Sequence, residues 1–443
     1  MSENKRICTI CLSEPYLCLE IEKMNERDEP CDYCGGDTPN ISMGELASYC
    51  DGMINNYYES SGYDFHGDPV GTPLDEVLRD ELGLEDKPLE DLISSIETEW
   101  FCYDSHEKMY GDDPHFKPIQ RTSGQLDYEW GKMKQSLQHY ARFFNPEAMF
   151  MLDKIFNSLQ TYRTKKNKSV IIEIPPDVQT FYRARVFQSF SDLENALFHP
   201  ERHLGPPSPE IAQAGRMNAK GISVFYGSTV KENAINEVRP PVGSLVATAE
   251  FKLTRKVRLL DITEFENVVP SDGSHFDPEV YADYSRCEFL RTLTRKLVMP
   301  VMPEMQDRDY LVTQAVADYL ASSTFNLDGI LFPSVQSSTE SQDNGTRNVI
   351  LFTKSSHVKN ANVALSEGDR DVYMDSYSDE PYCFRPEIIT NNEKSKNLFD
   401  NSSEWPSRVN TLEIDLESIE VHNITSVSFA KSSTQVMHKF LKS

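Results

Sequence analysis

Nowhere do about 18 apolar residues follow one another, the length a membrane-crossing helix needs, and Met1 to Arg6 lead into no signal-peptide-like apolar run. The sequence therefore reads as a cytoplasmic chain without membrane attachment. Basic residues are scarce: 44 Lys and Arg stand against 70 Asp and Glu, a formal net charge of -26. Such a chain repels a phosphate backbone or an anionic lipid surface, which disfavours nucleic acid and membrane as partners. No Gly-x-x-x-x-Gly-Lys loop and no Gly-x-Gly-x-x-Gly turn occurs, which argues against P-loop nucleotide hydrolysis and Rossmann-type redox chemistry. No Gly-x-Ser-x-Gly elbow is present either, so a serine hydrolase of that kind is not expected.

What the chain does have begins with length, since 443 residues exceed one ordinary core. Nine cysteines are present, four of them as Cys8-x-x-Cys11 and Cys31-x-x-Cys34, with 19 residues between the two pairs. Two such knuckles deliver four thiolates to one tetrahedral Zn²⁺, and a closed four-cysteine cage is structural because it leaves no open coordination position. Residues 1–40 otherwise show little apolar periodicity, so the metal is expected to hold this ribbon together. Cys18, Cys50, Cys102, Cys287 and Cys383 lack ligand spacing and read as ordinary thiols.

From Met43 the pattern becomes helical, with Met43, Leu46, Ala47, Cys50, Met53, Ile54, Tyr57 and Tyr58 on one face. Leu74 to Leu82, between Pro73 and Gly83, predicts a second helix, and Leu89 to Trp100 a third. Tyr128 to Phe144 and Pro146 to Tyr162 predict a pair, with Asn145-Pro146 as cap and first turn. A helical domain over 41–165 follows. Past the polar run 163–168, short β-type runs (Val170–Ile174, Phe181–Val186, Ser223–Tyr226, Ser244–Lys252, Val257–Ile262, Gly329–Phe332, Val349–Phe352) mix with helices at Lys231–Val238 and Tyr310–Ser322. Without regular βαβ alternation the fold class is α+β. Residues 366–408 read as a polar insert in long-loop form within a domain spanning 166–443, and a last strand pair is expected at Thr411–Leu416 and Ile424–Phe429.

The densest run of unusual residues is Gly215-Arg216-Met217-Asn218, then Tyr226, then Glu237. A glycine-flanked turn presenting Arg216, a strand ending in Tyr226 and a helix carrying Glu237 suit a phosphate-binding guanidinium, a stacking ring and a carboxylate. The same residues equally suit an ordinary turn, a core tyrosine and a surface ion pair. His199-x-x-x-His203 has metal-ligand spacing, but Pro200 interrupts it and no third ligand is evident.

In order and spacing this series resembles the RES family, whose members look like toxins that degrade NAD⁺ on a fold similar to the diphtheria-toxin class of ADP-ribosyltransferases. The family's Gly-Arg-Trp-Asn turn matches Gly215 to Asn218 with Met217 for tryptophan, its tyrosine Tyr226, its glutamate Glu237, its serine Ser334 and its first-strand arginine Arg183. The resemblance spans about residues 175–355 and implies NAD⁺ as substrate: Arg216 and Arg183 on the pyrophosphate, Tyr226 on nicotinamide, Glu237 on the ribose, Ser334 orienting, Asn218 bracing the turn. Residues 41–165 resemble the HEPN/RES N-terminal domain, without the Arg, four to six residues, then His of HEPN ribonucleases. Cleavage of the nicotinamide–ribose bond, by glycohydrolase or phosphorylase chemistry in a toxin or defence setting, is the leading expectation. Protein mono-ADP-ribosylation and a non-catalytic zinc-ribbon adaptor are the alternatives. An antitoxin or other regulatory protein, and self-association into a homo-oligomer, are the partners this leaves open.

Overall fold

The computed structural model describes residues 4–24, 29–102, 104, 106–119, 123–322, 324–334, 346–361, 365, 368–376, 384–391, 409–428, 431 and 433–437. Cys383 lies outside them. By its contacts the chain divides into two compact units, Met1–Glu129 with Asn267–Thr292, and Trp130–Glu266 with Leu293–Ser443. The expected boundary near residue 165 marks a change of composition, whereas this division falls after residue 129 and gives 267–292 to the first unit. Among the described residues no helix is long and apolar enough to cross a membrane.

In the first unit strand Arg6–Cys8 pairs antiparallel with Asn40–Ser42. Helix Met43–Tyr57 starts on a reciprocal cap, Ser42 Oγ accepting from the Glu45 amide at 3.2 Å and Glu45 Oε2 from the Ser42 amide at 3.1 Å. Such a box satisfies amides that would otherwise lack partners. Helix Leu74–Leu82 ends at Gly83, whose φ of 65° is the left-handed conformation that glycine adopts without cost. Helix Asp86–Glu99 follows, and Leu46, Ile54, Leu78, Leu92 and Ile96 form one buried cluster with Ile7 and Ile21.

Two expectations need correction here. Residues 1–40 hold a helix of their own, Pro15–Met24, which buries Leu17 and Ile21, so the ribbon region is not without apolar anchoring. The stretch 43–162 is not all helical. Tyr58–Ser61, His115–Pro118 and Thr72–Pro73 form a three-stranded sheet. They are too short and too polar to carry a period-2 apolar signal, although Phe116 is buried in the core cluster and Tyr58 packs against it.

In the second unit a nine-stranded mixed sheet comprises β1 (Ile171–Ile174), β2 (Thr180–Phe187), β3 (Phe225–Ser228), β4 (Leu245–Leu253), β5 (Val257–Asp261), β6 (Gly329–Pro333), β7 (Arg347–Leu351), β8 (His357–Val358) and β9 (Asn410–Asn423). Their order is β8-β9-β4-β2-β3-β7-β6-β5-β1, parallel only at β8·β9 and β5·β6. Phe181, Phe225, Phe251, Leu259 and Leu351 are buried in one cluster on this sheet, each burial stabilising by about 1.5–3 kcal/mol.

Of the expected last strand pair, Thr411–Leu416 falls in β9, which follows β4 through an irregularity between Thr248 and Glu250, whereas residues 424–428 form no strand and Phe429 lies outside the described residues. The expected insert 366–408 also contains regular structure. Arg370–Ser376 and Phe384–Thr390 pair antiparallel, anchored where Arg370 meets Glu201 at 2.8 and 3.1 Å. Alternation of Val372, Met374 and Ile388 toward the core cluster is the apolar signal that the polar average of the segment hides.

Candidate functional site

The site lies where the large sheet opens. β2 pairs with β4 at every residue from Thr180 to Phe187, yet with β3 only at Tyr182↔Ser228. Beyond that junction the two strands part, and side chains rather than backbone bonds span the gap. Arg183 crosses it: its guanidinium lies 5.3 Å from the centre of the Phe225 ring and donates from Nη1 to the Tyr226 carbonyl at 3.1 Å. Only 7% of Arg183 is exposed. Burial, with the neighbouring charge of Arg185, pulls its pKa well below the usual arginine value.

Tyr226, on β3, stands beside the Gly215–Asn218 turn. Its hydroxyl donates to Asn218 Oδ1 at 3.0 Å and accepts from the Met217 amide at 3.0 Å. Asn218 returns three bonds from Nδ2 to the carbonyls of Gln213, Ala219 and Ile222. A Cβ on Gly215 would meet Asn218 Oδ1 at 2.5 Å and Tyr226 Oη at 3.0 Å, so this turn and this tyrosine fit together only around a glycine. Burial pushes the Tyr226 hydroxyl to a higher pKa, which keeps it a neutral donor.

Glu237 is the last residue of helix Lys231–Glu237, and Pro240-Pro241 follow close behind its end. Its Oε1 accepts from Asn348 Nδ2 at 2.8 Å and lies 3.2 Å from Ser334 Oγ. The Ser334 hydroxyl sits closer, 2.6 Å, to Asn233 Oδ1, and Asn233 Nδ2 donates onward to Asn348 Oδ1 at 2.7 Å and to Ser228 Oγ at 2.9 Å. Asn233 and Asn348 are each 4% exposed, so two buried amides bind the carboxylate, the serine, β3 and β7 into one network. Ser334 reaches it because it follows Pro333, the last residue of β6.

Arg183, Tyr226 and Glu237 line one cavity of about 280 Å³, with Asn348, Phe332 and Arg185. Arg183, Arg185, Tyr226 and Asn218 also line a second, of about 1100 Å³. Together they cover the size range of small-molecule sites. Arg216 lines neither among the described residues. Its Nη1 donates to the Leu297 and Met299 carbonyls at 2.9 and 2.8 Å, at the end of helix Pro278–Val298, and its guanidinium lies 5.4 Å from the Tyr310 ring centre. In this arrangement it ties the turn down. Sequence reasoning missed Asn233, Asn348 and Arg185. Arg185 stood in plain view two residues after Arg183 on a strand, hence on the same face; the asparagines carried no such signal.

In the first unit the Sγ atoms of Cys8, Cys11, Cys31 and Cys34 all lie within 4.8 Å of one another, with Cys8 and Cys34 at 3.5 Å and Cys11 and Cys31 at 3.9 Å. Disulfide sulfurs would stand about 2.05 Å apart. Four thiolates around one metal at about 2.3 Å give sulfur separations of about 3.8 Å, so the donor set and spacing fit a tetrahedral metal ion.

The family model described as RES domain matches residues 180–372. No curated protein and no solved structure matches the chain. The matched segment starts at β2 and contains Arg183, the 215–218 turn, Tyr226, Glu237, Ser334 and Asn348. On this match, residues 180–372 form a RES domain.

Proposed function

We propose that the second unit breaks NAD⁺ at the nicotinamide–ribose bond. The observation that carries this reading is the meeting of a buried guanidinium, a neutral aromatic hydroxyl and a braced carboxylate at one opening of the sheet. As the bond breaks, its electron pair leaves with the pyridine nitrogen, and positive charge develops at C1′ and the ring oxygen of the ribose. Glu237 stabilises that charge and accepts from the ribose hydroxyls. Asn348 holds one carboxylate oxygen and leaves the other available. Tyr226 lines the cavity as the ring for nicotinamide, and Ser334 orients this end through Glu237 and Asn233.

Arg183 supplies the charge that meets the diphosphate. Arg216 acts at one remove, by holding the turn on which the Tyr226 hydroxyl rests. Water attacking C1′ and losing a proton completes hydrolysis; phosphate in place of water completes phosphorolysis. The likeness to ADP-ribosyltransferases belongs to the same proposal, supported by a mixed sheet that opens at the site. So do action as a toxin in the cytoplasm, where the substrate is found, and restraint by an antitoxin or other regulatory protein. Zinc is the metal proposed for Cys8, Cys11, Cys31 and Cys34, in a structural role.

The test is release of nicotinamide from NAD⁺ by the purified chain, with and without phosphate. Release that is lost in Glu237→Gln supports the reading, and no release under either condition refutes it.

A further inference from the structure

Arg183 and Arg185 stand one above the other on the same face of β2, about 6.8 Å apart along the backbone. Among the described residues Arg183 donates one hydrogen bond, to the Tyr226 carbonyl at 3.1 Å, and Arg185 one, from Nη2 to the Gly205 carbonyl at 3.0 Å. The Arg185 Nε is buried and has no hydrogen-bond partner among the described residues. Neither guanidinium is in an ion pair with a carboxylate among the described residues. A guanidinium carries five N–H donors, so most of those on Arg185 are unused, and a buried cation without a counter-charge is costly to fold around.

The larger cavity makes that cation accessible. Its lining includes Arg185, His199 and His203 together with two carboxylates, Glu201 and Glu210. Glu201 is already bound by Arg370 at 2.8 and 3.1 Å, and Glu210 is exposed. Burial lowers the pKa of both histidines, so near neutral pH they face the cavity as uncharged imidazoles that can offer N–H donors. In a chain of net charge -26, this is a cationic hollow with spare donors. The diphosphate of the proposed substrate is met by Arg183, which leaves the charge of Arg185 unassigned.

We propose that the larger cavity is a receptor for a phosphate dianion held by Arg185. The proposal leans on the dinucleotide reading only for where the phosphate comes from: it is either carried on the adenosine ribose, which makes NADP⁺ the better substrate, or taken as free phosphate.

Calorimetric titration of the full-length Glu237→Gln variant with 2′-AMP, adenosine and inorganic phosphate tests this without requiring turnover. Both phosphate-bearing probes are expected to bind, and adenosine far more weakly. Adding Arg185→Gln is expected to weaken phosphate binding at least tenfold with an unchanged circular dichroism spectrum. Should that variant fail to fold, Arg185→Lys carries the test, with a several-fold loss expected because a point charge replaces a fork. Tighter binding of 2′-AMP than of phosphate, with higher kcat/KM for NADP⁺ than NAD⁺ in wild type, assigns the phosphate to the dinucleotide. Equal affinities assign it to free phosphate. Affinities that do not change on substitution of Arg185, or phosphate probes that bind no better than adenosine, overturn the site whether or not NAD⁺ is cleaved.

Discussion

Asn348 Nδ2 stands 2.8 Å from Glu237 Oε1, the shorter of two contacts, with Ser334 Oγ at 3.2 Å, that direct a carboxylate exposed at the end of a short helix. The Asn348 carbonyl is in turn held by Asn233, so the orientation is set from β7. Asn348→Ala frees the carboxylate, and a misplacement of about 1 Å costs on the order of a hundredfold in rate. The expected result is a fall of about tenfold to a hundredfold in kcat with KM little changed. A purely structural role would instead lower the melting temperature and leave kcat per folded molecule intact.

Gly215→Ala places a methyl 2.5 Å from Asn218 Oδ1 and 3.0 Å from Tyr226 Oη. Either the turn or the tyrosine must give way, at about 1–3 kcal/mol of stability. Urea unfolding of the full chain should register that loss together with reduced activity. An alanine variant as stable and active as wild type would mean the turn is looser than described.

Much of this was legible in the sequence. Asn145-Pro146 marked the start of one helix and Gly83 the end of another, because capping is local. In the series from Arg216 through Tyr226 to Glu237, the tyrosine falls on a strand and the glutamate on a helix, as expected, and the two share a cavity. What spacing could not convey is direction. Arg216 faces the carbonyls at the end of helix Pro278–Val298, and that helix, with little amphipathic contrast, left no periodic trace to predict it. Asn233 and Asn348 matter through a bond between residues 115 positions apart, which no local pattern encodes.

Asp328 tests the packing under β6. Arg255 contacts it at 2.7 and 3.2 Å, and the Arg258 amide donates to it at 2.8 Å. Burial alone would raise its pKa, but the hydrogen bonds and charge of Arg255, with Ser355 and the Arg258 amide, hold it below the ordinary 3.8. A depressed carboxylate pKa gives stability that is fully present above 3.8 and fades as pH falls through the lower folded value. Asp328→Asn should therefore cost about 2–3 kcal/mol near neutrality, and less as pH drops below about 4. Chemical unfolding of both proteins across pH checks this; a difference that stays constant into strong acid would contradict it.

Metal analysis addresses the cysteine cluster. About one zinc per chain is expected, lost on Cys31→Ser along with thermal stability of the first unit, because ligation energy is folding energy. Nicotinamide release should respond far less than stability. Zinc-free protein with unchanged stability would remove the ribbon from the account.

The central claim is that Glu237 acts on the breaking bond and is not needed merely for folding or binding. Its most direct test is single-turnover cleavage of NAD⁺ by wild type and Glu237→Gln under saturating enzyme, with binding measured in parallel. Retained NAD⁺ affinity and a cleavage rate lower by about a hundredfold to a thousandfold is the predicted result. Cleavage by the variant at the wild-type rate would contradict the account.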